Sequence, residues 1–372
     1  MNKSFWEIQN ETTFDYAIVG GGYTGLQTAL LLQQKKPNAK LVLLERSVSG
    51  ALASTKNAGF GCFGTAGEIL DDLDQLSENE CVDLIKRRFK GLQELRAFGK
   101  IFNIGLDESG GYEVFFETEQ EWQTEVFSKL GYVNDVIAQA TGVNSCLVKK
   151  GVSNLGMNFN PIALYNSMEF QIDPVKLHKE LLQQCKKAGI EILLGVDVKH
   201  FERDETGDVL LTLSQDQIKS KNVVICTNAL APHLISGTDV QPARGQVLIT
   251  KPIHNLKPKG NFHATKGYFY FRNVGNRILL GGGRHLRKSA EHTESEDVSP
   301  EIQMILKQVL STKICPGMEI EIDSAWAGTM GVRTTKLPFI GVVEPHVYAA
   351  VGLGGMGIAL SKQTAKELVD LL

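Results

Sequence analysis

The sequence predicts an α/β fold in two domains, an α/β domain built from both ends of the chain and interrupted by a second domain of mixed sheet, α+β in character. Three observations predict it. A glycine-rich turn joins a short apolar run to a helical stretch near residue 20. Strand-like and helix-like segments alternate at both ends, as in units with a parallel sheet and crossover helices. The middle carries closely spaced strand-like runs of more antiparallel character. A length of 372 residues also suits two domains, at roughly 100–200 residues each.

In chain order, Asp15–Val19 is a short apolar run ending in glycines, hence a buried strand. From Tyr23, apolar residues recur at helical spacing through Leu26, Ala29 and Leu30, and the helix must stop before Pro37. Lys40–Leu44 is a second strand, closed by Glu45. The strand–helix–strand unit fills the roughly 30 residues that a parallel pair needs. Leucines and aromatics at spacings of three and four predict helix from Glu68 to Phe102; within it, Lys86–Lys90 is expected to be a solvated basic face. Gly110–Phe116 and the residues after it predict strand and turn. Asp173 and Pro174 suit the cap and first turn of a helix that ends near Gly189. Strands follow at Ile190–Leu194, Val209–Leu213, Val223–Thr227, Gln246–Thr250, Tyr268–Arg272 and Arg277–Leu280. A helix over Ser299–Leu310, a strand over Val347–Val351, a glycine turn and a helix over Ile358–Leu371 close the chain.

Composition narrows the function. Thirty-nine basic and 42 acidic side chains leave a formal charge of −3, so no global field draws the protein to nucleic acid or anionic membrane. No apolar run approaches the 18 residues of a membrane span. Residues 1–14 include Glu7 and Glu11 and lack the apolar centre of a secretory signal. The six cysteines (Cys62, Cys81, Cys146, Cys185, Cys226 and Cys315) are scattered without the patterned spacing of a disulfide framework or a zinc site. The expectation is therefore free thiols, no metal and a cytoplasmic protein.

Gly20, Gly22 and Gly25 match G-x-G-x-x-G around Gly21, Tyr23 and Thr24. Chemically, the first glycine permits a tight turn, the second lets backbone approach a pyrophosphate, and the third lets helix pack on strand. The phosphates would then meet open N–H groups at the positive end of a helix. Glu45, twenty residues after Gly25, is placed to accept hydrogen bonds from an adenosine ribose. Arg46 could welcome a 2′-phosphate instead, but Glu45 would repel it. This unit is Rossmann-like, and by itself it serves FAD and NAD equally.

Further along stand Ser54-Thr-Lys-Asn-Ala-Gly59, Asp173-Pro174, Cys226-Thr-Asn-Ala229, Arg244-Gly-Gln246, Trp326-Ala-Gly328, Leu337-Pro-Phe-Ile-Gly341 and Gly352-Leu-Gly-Gly-Met-Gly357. Each is short; their order and spacing together resemble the flavin-dependent D-amino-acid oxidase superfamily, over nearly the whole chain. The resemblance implies an FAD-binding domain from 1–65, 165–235 and 326–372, with a substrate domain from 66–164 and 236–325. It also implies an oxidoreductase that takes hydride from a carbon next to nitrogen, giving an imine that hydrolyses. By the same resemblance, Ser54, Thr55, Asn57, Ala58 and Gly59 run past the pyrophosphate to the flavin, and Val196 meets the adenine. Thr227 and Asn228 end a strand near the cofactor, and Gly328 belongs to its surroundings. Gly354, Gly355, Met356 and Gly357 present a helix N-terminus to the pyrimidine edge of the flavin, where reduced flavin carries negative charge. No histidine lies between Leu44 and Glu68 and no cysteine follows Cys315, so noncovalent FAD is expected.

Amino-acid oxidases of the superfamily anchor a substrate carboxylate through an arginine four residues after the W-A-G tryptophan; here that residue is Met330. The sarcosine oxidase lysine is replaced by Ala359. Arg333 is the remaining candidate anchor. The Trp326-to-Pro338 spacing and the basic Lys56 before Asn57 are similar to gamma-glutamylputrescine oxidoreductases, which points to a small amine without a mandatory α-carboxylate. Tyr268, Tyr270 and Arg272 alternate, so a strand would aim all three at one face as an amine cage. Oxygen or a carrier would take the electrons. A tRNA-modifying flavoprotein and a nicotinamide-dependent dehydrogenase are the alternatives; the balanced charge argues against the first.

Overall fold

The computed structural model describes residues 12–49, 52–214 and 216–372. Residues 1–11, where the signal-peptide reading falls, lie outside this description. The chain forms two compact units: residues up to Thr55 with Val175–Ala243 and Met330–Leu372, and Lys56–Pro174 with Arg244–Thr329. These bounds differ by several residues from those the sequence suggests, for a packing reason. Ala58 and Phe60 share a small apolar cluster with Val247, Leu279, Tyr270 and Trp326. Phe60–Gly61 also pairs antiparallel with Phe170–Gln171, which draws both segments into the second unit.

The first unit is built on a parallel sheet in the order Val347–Val351, Gln217–Ile225, Thr13–Val19, Leu41–Glu45, Glu191–Leu194. Phe339–Glu344 adds an antiparallel edge, and Val209–Leu213 and Val198–Arg203 branch from Gln217–Ile225. Strands apolar on both faces are what a sheet covered on both sides requires: Ala17, Val42, Val223 and Ala349 are fully buried. The helices Tyr23–Lys35 and Gly357–Asp370 pack together, joined by a 2.8 Å bond from Gln27 Nε2 to Ser361 Oγ. From Thr13–Val19 the chain moves one way to Leu41–Glu45, while Gln217–Ile225 lies on the other side. The strand order thus reverses at this point, where open α/β sheets bind ligands. Val19, Leu44, Ile225 and Ala349 are in mutual register, so the turns that follow them leave the same edge of the sheet.

The second unit carries a mixed eight-stranded sheet in the order Ile322–Val332, Gln241–Thr250, Arg277–Gly282, Phe269–Val274, Asn261–Ala264, Gly111–Glu113, Ile162–Asn166, Leu147–Gly151. One face is a dry core: Leu248, Phe262, Phe271 and Leu280 pack with Ile302 and Leu306 of the helix Pro300–Val309. The opposite face holds polar residues in register: Asn261 opposite Arg272, and His263 opposite Tyr270 and beside Glu113.

Several elements depart from the sequence reading. The stretch from Glu68 to Phe102 is two helices, Ala66–Leu73 and Glu78–Ile101, because Ser77 and Glu80 form a capping box that starts the second. Arg88 is buried against Glu68 and the carbonyl of Phe63, so the basic run is not one solvated face. After Gly111–Glu113 come two helices, Gln120–Ser128 and Leu130–Thr141, in place of strand and turn. The strand expected over Tyr268–Arg272 is Phe269–Val274.

Candidate functional site

The glycine turn is dictated by contact distances. Gly20 has φ +110°, and a Cβ there would stand 2.7 Å from the carbonyl oxygen of Cys226. At Gly25 a Cβ would lie 1.9 Å from the carbonyl oxygen of Gly20, so only glycine lets this helix close on its strand. No side chain of Gly22 caps the helix. Instead Ser54 Oγ accepts a 3.1 Å bond from the Tyr23 amide, and a Cβ at Gly22 would sit 3.0 Å from that oxygen. Tyr23 and Thr24 are buried in the first turn. The outcome is a helix N-terminus fronted by backbone and one small hydroxyl.

Glu45 is buried at the end of its strand. Its Oε2 accepts from the Gly21 amide at 2.7 Å and its Oε1 from the Ser47 amide at 2.7 Å, which fixes the carboxylate beside the turn. Arg46 is exposed. The Val196 amide donates to the Glu45 carbonyl at 2.9 Å, bringing the next strand end alongside. His178, on the helix Pro174–Lys187, shares a 2.8 Å bond with the Gly21 carbonyl, and burial lowers its basicity. The sequence reading missed His178; its only signal was a polar residue on the apolar face of that helix.

The carboxyl-terminal turn leaves the same sheet edge. Asn228 adopts φ +47° and its Oδ1 accepts from the amides of Gly352 at 3.0 Å and Leu353 at 3.2 Å. The preceding Thr227 has a buried Oγ1 with no hydrogen-bond partner. Gly354 has φ +58°, and neither it nor Gly357 has any atom within 4 Å of a would-be Cβ, so the start of the last helix is open. No side chain of Met356 caps that helix. The Met330 sulfur lies 3.6 Å from a Cβ position at Gly355. Ala359 is buried. Arg333 donates to Asp239 Oδ1 at 2.6 Å and to the Leu337 carbonyl at 2.8 Å, a bracing role in its own loop.

Thr55 and Lys56 are the last two residues of the short helix Leu52–Lys56; Lys56 opens the second unit and pairs with Glu296 at 2.5 Å. Its carbonyl accepts from Trp326 Nε1 at 2.9 Å. Asn57 Oδ1 accepts from the Gly59 amide at 2.9 Å; Ala58 and Gly59 are buried, and Gly328 is buried two residues after Trp326. Gly59 has φ +77°, and a Cβ there would meet the Ile172 carbonyl at 2.3 Å and the Arg272 guanidinium at 3.1 Å. Arg272 Nη1 donates to the Gly59 carbonyl at 3.2 Å, while its Nε is buried without a partner. Burial pulls its pKa down to about 10, so it stays cationic at neutral pH. Tyr270 meets Phe60 edge-on with ring centres 5.7 Å apart; burial pushes its phenol up to about 12. Tyr268 does not share their strand. It leaves through a turn onto Thr265 and stacks on His285 at 4.6 Å, so the expected row of three side chains is a row of two.

The same face carries a buried cluster that the sequence reading left out. His263 Nε2 lies 2.9 Å from Glu169 Oε2, and Phe60 meets its ring edge-on at 5.3 Å. Burial opposes protonation of His263, but the charge and hydrogen bond of Glu169 prevail and its pKa is raised. Glu113, next to His263 in register, is raised to about 7 by burial, against the bond it accepts from the Gly67 amide at 3.0 Å. Strand pairing sets Glu113 beside His263, and Glu169 joins them through its bonds to His263 and to Asn261 Nδ2 at 3.1 Å, although the three are far apart in the chain. All six cysteines are buried free thiols. Among the described residues, no group of three or more potential ligands could hold a metal. No described helix is long and apolar enough to cross a membrane.

The first unit fits an extended dinucleotide: a glycine cradle at a helix N-terminus, a fixed carboxylate beside it, an unpartnered Thr227 hydroxyl, and an open second helix start. These define a dinucleotide-binding α/β protein of two units. The chain belongs to the family described as FAD dependent oxidoreductase, which matches residues 15–371. It is 26% identical over 374 residues to the probable oxidoreductase OrdL of Rhizobium meliloti, covering 96% of this chain and 82% of that one. It is 23% identical over 394 residues to the gamma-glutamylputrescine oxidoreductase of Escherichia coli, covering 99% and 85%. Among solved structures, the dithionite-reduced L-α-glycerophosphate oxidase of Mycoplasma pneumoniae with FAD bound is similar in fold, with TM-score 0.78, 18% identity, and coverage of 97% and 95%. The protein is thus an FAD-dependent oxidoreductase, and the nicotinamide alternative is set aside.

Proposed function

We propose that the protein oxidises a C–N bond of a small primary or secondary amine that need not carry an α-carboxylate, using noncovalent FAD. One observation carries the substrate preference. Met330 presents a thioether to Gly355, where the resembled amino-acid oxidases place a cation, and the alternative anchor Arg333 is engaged with Asp239. The similarity to a gamma-glutamylputrescine oxidoreductase supports the same choice. Bound FAD supplies a hydride acceptor at N5.

The chain's own residues bind, orient and exclude water. Gly20–Gly25 and the start of the helix Tyr23–Lys35 receive the pyrophosphate, with Ser54 beside it, and Glu45 receives a ribose. Tyr270 and Phe60 offer ring edges and faces to an alkyl amine. Tyr270 stays a neutral phenol, so it shapes the site and takes no proton there. Arg272 keeps the Asn57–Gly59 segment in place through the Gly59 carbonyl, and its free Nε would receive any acidic group on the substrate. Desolvation around these groups favours the unprotonated amine, the form that can give up hydride. The imine leaves the site and hydrolyses to a carbonyl compound and an amine. Cys62 is buried and its thiol is pushed well up by that burial, which disfavours a thiolate link to the flavin. Six free thiols also suit a reducing cytoplasm.

The test is anaerobic bleaching of the flavin with polyamines, N-methyl amino acids and D-amino acids. Amines without an α-carboxylate should reduce it fastest, and oxygen consumption with peroxide release would then identify the acceptor. Reduction by α-amino acids alone would contradict the reading from Met330.

A further inference from the structure

The sequence places Asn228 at a strand end near the cofactor, and in the structure its side chain bonds to the glycine turn. Asn228 follows the strand Gln217–Ile225 in a left-handed conformation that asparagine tolerates but most residues do not. That conformation aims Oδ1 at two successive amides, Gly352 at 3.0 Å and Leu353 at 3.2 Å, at the start of the glycine turn. The clasp is closed from the other side. A Cβ at Gly331 would stand 2.8 Å from Asn228 Oδ1, and the Gly331 carbonyl accepts from the Gly354 amide at 2.8 Å. Three segments, around 228, 331 and 352–354, are therefore held together: the Asn228 oxygen takes the amides of Gly352 and Leu353, and the Gly331 carbonyl takes that of Gly354. The helix beginning at Gly357 has no side-chain cap, so its first amides and positive dipole end point wherever this clasp sets them.

We propose that Asn228 is a positioning residue for flavin chemistry: it fixes the N-terminal end of the last helix against the bound cofactor without touching the reacting atoms. The proposal rests on the reading that this helix start faces the edge of the flavin that gains negative charge on reduction. A displaced helix end would stabilise reduced flavin less, so the reduction potential should fall even where folding is intact.

Asn228→Gly tolerates the left-handed backbone and removes the clasp. Asn228→Asp keeps an acceptor for both amides and adds a charge beside the turn. Met356→Asp places a carboxylate at the uncapped helix start and reports on the helix reading alone. The measurements are FAD dissociation by flavin fluorescence, reduction potential by dye equilibration, and Tm. The expected result for Asn228→Gly is about tenfold weaker FAD binding, as for loss of a hydrogen bond or two, with a lower potential. Asn228→Asp should bind FAD near wild-type strength and also show a lower potential. If Asn228→Gly changes Tm alone, leaving potential and FAD affinity at wild-type values, the clasp has no cofactor role and the proposal fails, whatever the added charge of Asn228→Asp does. In that case a lowered potential in Met356→Asp would leave the helix reading standing, while a silent Met356→Asp would remove it too.

Discussion

Gly25 and Gly142 show how far two glycines can differ in what they permit. At Gly25 a methyl group would drive into the Gly20 carbonyl; at Gly142, which ends the helix Leu130–Thr141 with φ +76°, it would meet nothing within 4 Å. Gly142→Ala should therefore cost only the left-handed penalty, about 1–2 kcal/mol, with FAD content unchanged. Gly25→Ala must push helix from strand and should cost about 3 kcal/mol or more and empty the flavin site. Thermal unfolding with flavin absorbance separates the two. Glu113 sets a pH dependence. Its folded pKa, raised to about 7 from an ordinary 4.5, means folding favours the protonated acid. That stability is complete below about pH 4.5 and is lost as pH rises towards 7. His263, also raised, contributes stability below its ordinary value of 6.5 that is lost as pH rises through its folded value. Both push the same way, lowering Tm from pH 5 to pH 8, against His178, whose lowered folded pKa contributes stability that is lost as pH falls. Glu113→Gln removes one ionisation, and its Tm relative to the parent should be more favourable at pH 8 than at pH 5. An equal difference at both values would contradict the buried-acid account.

Among elements, those governed by local chemistry were legible and those governed by partners were not. The βαβ unit from Thr13 to Glu45 could be placed because glycine spacing, strand hydrophobicity and Pro37 all act locally. The break between the helices Ala66–Leu73 and Glu78–Ile101 is equally local: Ser77 with Glu80 is a capping signature, masked by leucine spacing that runs almost unbroken across it. Ser77→Ala should cost about 1 kcal/mol in the transition that unfolds the second unit, visible as a lower Tm and faster amide exchange at residues 78–81. The strands Leu147–Gly151 and Ile162–Asn166 carry little alternation of their own, and pairing with each other and with Gly111–Glu113 makes them strands. The Tyr268 turn was hidden because a left-handed pair, Thr265 and Lys266, shifts the strand start in a way no periodicity records.

For the molecule as a whole, the order of short glycine-bearing motifs carried the family and the cofactor. It could not carry the buried polar face of the second sheet, where register sets Arg272, His263 and Glu113 together and Glu169 reaches His263 only through a side-chain bond. The central claim is that backbone amides and a few small side chains, contributed by segments scattered along the chain, bind FAD without a covalent bond. Precipitating the purified protein with acid and quantifying flavin in both fractions tests it most directly. The account predicts one FAD per chain in the supernatant and a colourless pellet. Flavin retained in the pellet, or release of a different nucleotide, would contradict it.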